Sequence, residues 1–174
     1  IRTELTNALD KVFIRNIITN EEEELIFTDE KVYDPSVSLR QKDRNTDEIY
    51  ISYSTPKTQN RTYLYNIKTK EKKLVKEQII PSGHEPNDYI VERLECPSHD
   101  GRVVPITITR HKNTPIDGSA ELLLYGYGSY GHSMSPTFSS TRLSLIKRNI
   151  IWATAHIRGG MERGMKWWKE GKLL

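Results

Sequence analysis

The chain has 174 residues, 36% hydrophobic and 28% charged, with 26 basic against 23 acidic side chains and a net charge of +3. That balance describes a soluble folded domain, or parts of two, and excludes a disordered chain, which would carry fewer aromatics and more net charge. The charge is too small for a nucleic-acid footprint, the single Cys96 excludes an internal disulfide or a multi-cysteine metal site, and no run reaches the roughly 18–20 apolar residues of a membrane span.

The opening IRTELTNALD lacks the basic-then-apolar pattern of a signal peptide and begins without methionine, so the chain is expected to be a piece of something longer. Residues 1–80 read as β structure. KVFIRNI places Val12, Ile14 and Asn16 on one side, a half-buried strand pattern. EEEELIFTD sets Leu25 to Phe27 behind four glutamates, which are expected to form a solvated turn. EIYISYS and RTYLYNI alternate around TPKTQN, a stretch of turn formers. YNIKTKEKKLVKEQ repeats the device with a polar turn at Lys68–Lys70. This is a meander of short antiparallel strands, the unit of a propeller blade or a sandwich, although no clean repeat period runs through it.

QIIPSGHEPNDY, with two prolines, a glycine, an asparagine and an aspartate, is the expected domain boundary. His84 within it is expected to be a solvated loop residue. Beyond it the character changes. YIVERLECPSHDGRVVPITITRHK reads as strand, Asp100-Gly101 turn and strand. ELLLYGYG and IIWATAHI are apolar runs without alternation, as expected of strands buried on both faces. Between them SPTFSSTRLSLIKRN reads as a helix capped by Ser139, Ser140 or Thr141. RGGMERGMKWWKEGKLL is a glycine turn entering a helix with Met161, Met165, Trp168 and Leu173 on one stripe. Strand, helix, strand, helix points to a parallel α/β sheet, and hence to two domains, 1–85 and 86–174.

Tyr127-Gly128-Ser129-Tyr130-Gly131 is a near miss for the Gly-x-Ser-x-Gly nucleophile elbow, with tyrosine where the first glycine belongs. The elbow's triad runs Ser, then Asp or Glu, then His. After Ser129 the only carboxylates are Glu162 and Glu170, and His156 is the last histidine, so this chain holds no such triad. What remains is a glycine-flanked tyrosine where a parallel strand ends, the place at which ligands meet α/β sheets. Its hydroxyl could donate a hydrogen bond to a developing oxyanion, or it could be a packing residue. The RGG stretch could bind an anion or RNA, or be a plain strand-to-helix turn.

LLLYGYGSYG, followed by RLSLIKRNIIWATAHIRGGMERGMKWWKEGKLL, resembles the prolyl oligopeptidase family of serine peptidases, with a nearer resemblance to its oligopeptidase B (protease II) branch. The likeness covers roughly residues 25–174. It implies the closing blades of a β-propeller over 1–85, then the first strands and helices of an α/β-hydrolase domain over 86–174, each partial. It also implies cleavage of short peptides after Arg or Lys, with Tyr127 as oxyanion-hole donor and Tyr130 walling the substrate pocket. The family's nucleophile, Asp and His would lie beyond this chain, so it is expected to be an internal fragment, inactive alone. No cofactor or metal is implied, nor any nucleic-acid or membrane partner. A cytoplasmic location and association through open sheet edges are expected. The rival reading is a non-catalytic β-rich binding or scaffold module.

Overall fold

The computed structural model describes residues 1–39 and 45–172 and arranges their strands in three sheets. The first is antiparallel, with strands β1 (Arg2–Thr6), β2 (Leu9–Arg15) and β3 (Glu22–Glu24) in that order. The alternation in KVFIRNI is realised up to Arg15, with Val12 turned inward at 2% exposure. Asn16 lies beyond the strand, where its side chain caps a turn through the Ile18 amide at 2.9 Å. The glutamates are not a turn. They form β3, paired to β2 with Phe13 opposite Glu24. Cations from elsewhere in the chain make this workable: Arg2 of β1 meets Glu22 at 2.8 Å, Lys11 of β2 meets Glu24 at 3.0 Å, and Lys70, in the turn before Lys72, meets Glu23.

The second sheet is the expected meander. It contains β4 (Asp34–Ser38), β5 (Glu48–Ser54), β6 (Arg61–Asn66) and β7 (Lys72–Glu77), all antiparallel and in chain order. Its buried face presents Ile49, Ile51, Tyr53 and Tyr65, which share one core with Val12, Leu25 and Phe27 of the first sheet. Apolar side chains at alternate positions thus weld two antiparallel sheets together.

A proline-rich connector and a 3-10 turn, Pro86–Asp88, lead into the third sheet. His84 in this connector is not solvated. Its Nε2 donates to the Lys57 carbonyl at 2.6 Å, and its ring lies 5.1 Å from both Tyr89 and Phe138. The third sheet contains β8 (Tyr89–Pro97), β9 (Val103–His111), β10 (Leu122–Gly126) and β11 (Ile151–Ala155), in the order β10-β11-β9-β8. It is a mixed sheet: β10 and β11, the two apolar runs, are parallel as their strand-helix-strand pattern suggests, while β11 with β9 and β9 with β8 are antiparallel.

Helix α1 (Ser140–Ile146) bridges the parallel pair. Ser139 caps it by accepting from the Arg142 amide, the arrangement its sequence position suggests. Leu143 and Ile146 are buried against Tyr89, with Phe138 and Trp152 alongside. That covers one face of the sheet. On the other, cross-strand pairing aligns Leu94 with Ile106 and Ala155, and Ile108 with Ala153 and Leu124. There Leu94, Leu122 and Leu124 are 50%, 54% and 63% exposed. The run expected to be buried on both faces is therefore an edge strand with one face open. The chain's accessible area is 11117 Å², against about 8,800 Å² for a compact monomer of this mass.

Helix α2 (Met165–Glu170) turns Trp167 inward at 5% exposure, whereas Met161 and Met165 are exposed. The expected apolar stripe is thus replaced by one indole, whose Nε1–H donates to the His156 carbonyl at 3.2 Å. Leu173 lies outside the described residues. Among the described residues no helix is long and apolar enough to cross a membrane.

Candidate active site at the strand ends

Parallel pairing places the carboxyl ends of β10 and β11 side by side, so the segments that follow them, Tyr127–His132 and His156–Gly160, emerge at one place. Their backbones touch. A Cβ on Gly128 would overlap the Arg158 carbonyl oxygen, and one on Gly159 would overlap the Gly128 carbonyl. The Gly131 amide donates to the Gly159 carbonyl at 2.9 Å. The glycines of YGYGSYG and of RGG are therefore two halves of a single contact that any side chain would prevent.

Tyr127 stands on this contact, 37% exposed, with the His132 ring edge-on at 5.7 Å. Among the described residues its hydroxyl has no hydrogen-bond partner. Tyr130 is 94% exposed and has φ 57°, a left-handed conformation that non-glycine residues adopt at a cost. The turn around it closes through the His132 amide, which donates to the Ser129 carbonyl at 3.1 Å. Ser129 is exposed, and no histidine is hydrogen-bonded to its hydroxyl among the described residues.

Arg158, the arginine of RGG, is held by Asp100 at 2.6 Å with its side chain 18% exposed. Arg163 donates to the Val103 carbonyl at 2.7 Å, and Arg102 meets Glu170 at 3.1 Å. These contacts tie the turn and α2 to the hairpin between β8 and β9. Arg158 is consequently committed to structure rather than presented to a ligand.

Beneath the loops lies a buried polar cluster that sequence patterns do not single out. Arg93, Thr107 and Thr154 form one cross-strand row, and His156 follows two residues along the same face. His156 is fully buried, with Nε2 at 2.8 Å from the Thr107 hydroxyl and 3.0 Å from Arg93 Nη1. Because Arg93 can only donate, Nε2 accepts and the ring is neutral. Burial, and secondarily the Arg93 charge, push its pKa down to about 4. Glu162 is also fully buried, and its Oε1 accepts from the Met134 amide at 3.0 Å. Burial pushes its carboxyl up, and the Met134 amide partly offsets this. The available sequence signals were slight: His156 is the sole titratable residue in an apolar run, and Glu162 closes the glycine turn.

Among the described residues no group of three or more His, Cys, Asp or Glu could hold a metal ion. Tyr127 thus stands on a glycine contact at the carboxyl end of a parallel strand pair, the place at which ligands meet α/β sheets.

No family model matches the chain. Individual proteins do. The chain is 39% identical over 171 residues to dipeptidyl aminopeptidase BI of Pseudoxanthomonas mexicana, covering 98% of this chain and 23% of the relative. It is 35% identical over 170 residues to a prolyl oligopeptidase of Omphalotus olearius, covering 97% of this chain and 22% of the relative. Its fold superimposes on oligopeptidase B from Trypanosoma brucei with a TM-score of 0.83 and 31% identity, covering 94% of this chain and 24% of that one. The chain belongs to the prolyl oligopeptidase family, and it spans about a quarter of the length of the relatives it matches.

Proposed function

We propose that this chain is the part of a prolyl oligopeptidase-family serine peptidase that supplies the oxyanion-hole donor, Tyr127. Residues 1–85 would be closing blades of a propeller and residues 86–174 the start of the α/β-hydrolase domain. The observation that carries this reading is Tyr127 itself: an unpartnered phenol at the strand ends, on a loop fixed by the Gly128–Gly159 contact. In the parent reaction a serine outside this chain attacks the peptide carbonyl. The carbonyl oxygen gains negative charge, and the Tyr127 hydroxyl donates to it. That bond strengthens as charge develops, which is the condition for accelerating the step rather than merely binding substrate. Tyr130, projecting from its strained turn, would wall the pocket for the substrate side chain. The substrates we propose are short peptides cut after Arg or Lys. Alone, the chain would be inactive, because an oxyanion donor without a nucleophile and base gives little rate.

The test is a pair of kcat measurements on the complete peptidase carrying this segment, with a fluorogenic Arg substrate. Tyr127→Phe is expected to lower kcat on the order of 10²–10³-fold with KM nearly unchanged. Ser129→Ala is expected to have little effect. The reverse pattern would overturn the assignment. A second reading comes from the Pseudoxanthomonas relative, a dipeptidyl aminopeptidase. A substrate with a blocked amino terminus distinguishes the two, since only an endopeptidase cleaves it.

A further inference from the structure

We propose that Glu162 is a positioning residue that fixes the Tyr127 loop through the Met134 amide, and that the hairpin tip Asn7–Ala8 is the plug that seats it. The proposal rests on the role given to Tyr127 above.

Three separate pieces of chain converge on Glu162. Its Oε1 accepts from the Met134 amide at 3.0 Å, at the far end of the loop that begins with Tyr127. Its backbone carbonyl accepts from the Ala8 amide at 2.7 Å. Its own position follows from the glycine turn, where a Cβ on Gly160 would overlap the carboxylate. The loop from Tyr127 to Met134 is thus held at two points, by Gly159 against Gly128 and Gly131 near one end and by Glu162 at the other. Loss of the Glu162 bond would leave the Met134 amide without its acceptor and loosen the far end of a segment that carries an exposed tyrosine and a strained turn.

The hairpin tip is unusual for a turn. Ala8 is 3% exposed, and Asn7 and Ala8 both adopt positive φ, 52° and 64°. Turn tips belong in solvent because their backbone groups need partners. Here the partners are supplied from the third sheet and the glycine turn beyond it: Arg93 Nη2 of β8 donates to the Asn7 carbonyl, and the Glu162 carbonyl receives the Ala8 amide. Arg93 also donates to the ring of His156, and the Met134 carbonyl faces that ring while Nδ1 stays without a hydrogen bond. The Met134 peptide is therefore flanked by Glu162 on its N–H side and His156 on its carbonyl side. With the tip seated on its backbone, Glu162 is fully buried, Oε1 accepting from the Met134 amide and Oε2 without a partner among the described residues. A buried acceptor tied to one donor is what a positioning role requires.

The test is amide hydrogen exchange on the full 174-residue chain. Glu162→Ala removes the acceptor, and Glu162→Asp retains the charge but falls one methylene short. Both are expected to speed exchange at Met134 by roughly 10–100-fold, the loss of one buried charge-assisted bond. Exchange in Ile151–Ala155 is expected to stay within about threefold, a few tenths of a unit in log rate. Glu162→Gln keeps a carbonyl acceptor and is expected to restore Met134 protection. Unchanged Met134 exchange in both Glu162→Ala and Glu162→Asp overturns the proposal. So does loss of protection spread equally over β11, which would make Glu162 a general fold residue. In the complete peptidase, Glu162→Asp is expected to lower kcat at constant KM, with rescue by Glu162→Gln. A silent Tyr127→Phe would defeat the oxyanion role while leaving the exchange result standing.

Discussion

Gly128 and Gly159 are in backbone contact across the ends of two parallel strands, closely enough that a Cβ on Gly159 would occupy the position of the Gly128 carbonyl. Gly159 adds φ 95°, a region closed to most side chains. Gly159→Ala therefore carries both overpacking and backbone strain. A loss of about 2–5 kcal/mol in unfolding free energy is expected, as the sum of the two effects. Gly128→Ala, without the strain, is expected to lose about 1–3 kcal/mol. Denaturant unfolding checks both, and equal effects would argue against the strain.

His156 gives the fold a pH dependence of known sign. Its pKa falls from 6.5 to about 4 on folding. Between those values the unfolded chain binds a proton that the folded chain refuses. The contribution is complete above the unfolded value and is lost as pH falls toward the folded one, on the order of 3 kcal/mol in all. Glu162 acts oppositely: its raised carboxyl is a burden at neutral pH that is relieved on acidification. Unfolding midpoints are expected to drop between pH 6.5 and 4. His156→Gln is expected to remove about one proton from that slope. An unchanged slope would place the linkage elsewhere.

His84 ties the connector to the loop between β5 and β6 and to the start of β8. It bonds the Lys57 carbonyl at 2.6 Å and packs between Tyr89 and Phe138. His84→Ala removes one hydrogen bond and two ring contacts. A loss of about 1–3 kcal/mol is expected in thermal or denaturant unfolding. A change below about 0.5 kcal/mol, the scale of a neutral surface substitution, would return His84 to the solvated loop that its sequence context suggests.

The open face of the third sheet carries Leu94, Leu122 and Leu124, all at least half exposed. Contiguous apolar surface of this kind drives association. The chain is expected to self-associate with rising concentration in light scattering, and Leu124→Lys is expected to suppress this. A monomer at all concentrations, indifferent to Leu124→Lys, would show that the face is tolerated in water.

What the sequence disclosed was local. The β5–β6–β7 meander followed from period-two alternation and turn residues, and the α1 cap from a serine ahead of an apolar helical run. Strand β4 was silent because Asp34-Pro35-Ser36-Val37-Ser38 has one large apolar residue and is defined by its partner β5. The glutamates of β3 looked like a turn because the cations paired with them come from two other strands and a distant turn. Helix α2 has six residues, too few for periodicity to choose between Trp167 and Trp168. At the site, the two glycine motifs were readable separately and their mutual contact was not. The cluster beneath them joins Arg93 to His156 across 63 positions, which no local pattern can reveal.

Two of the outer strands, β3 and β10, differ in kind. Strand β3 closes the first sheet with three consecutive glutamates, Glu22–Glu24. Each is held in an ion pair, so a second copy adding its backbone there would meet a charged margin already tied to Arg2, Lys11 and Lys70. Strand β10 closes the third sheet with Leu122, Leu123 and Leu124. Pairing of two copies is thus easier through β10 than through β3, and a β10-to-β10 pair uses up the same edge on both copies, so that contact closes on itself rather than propagating.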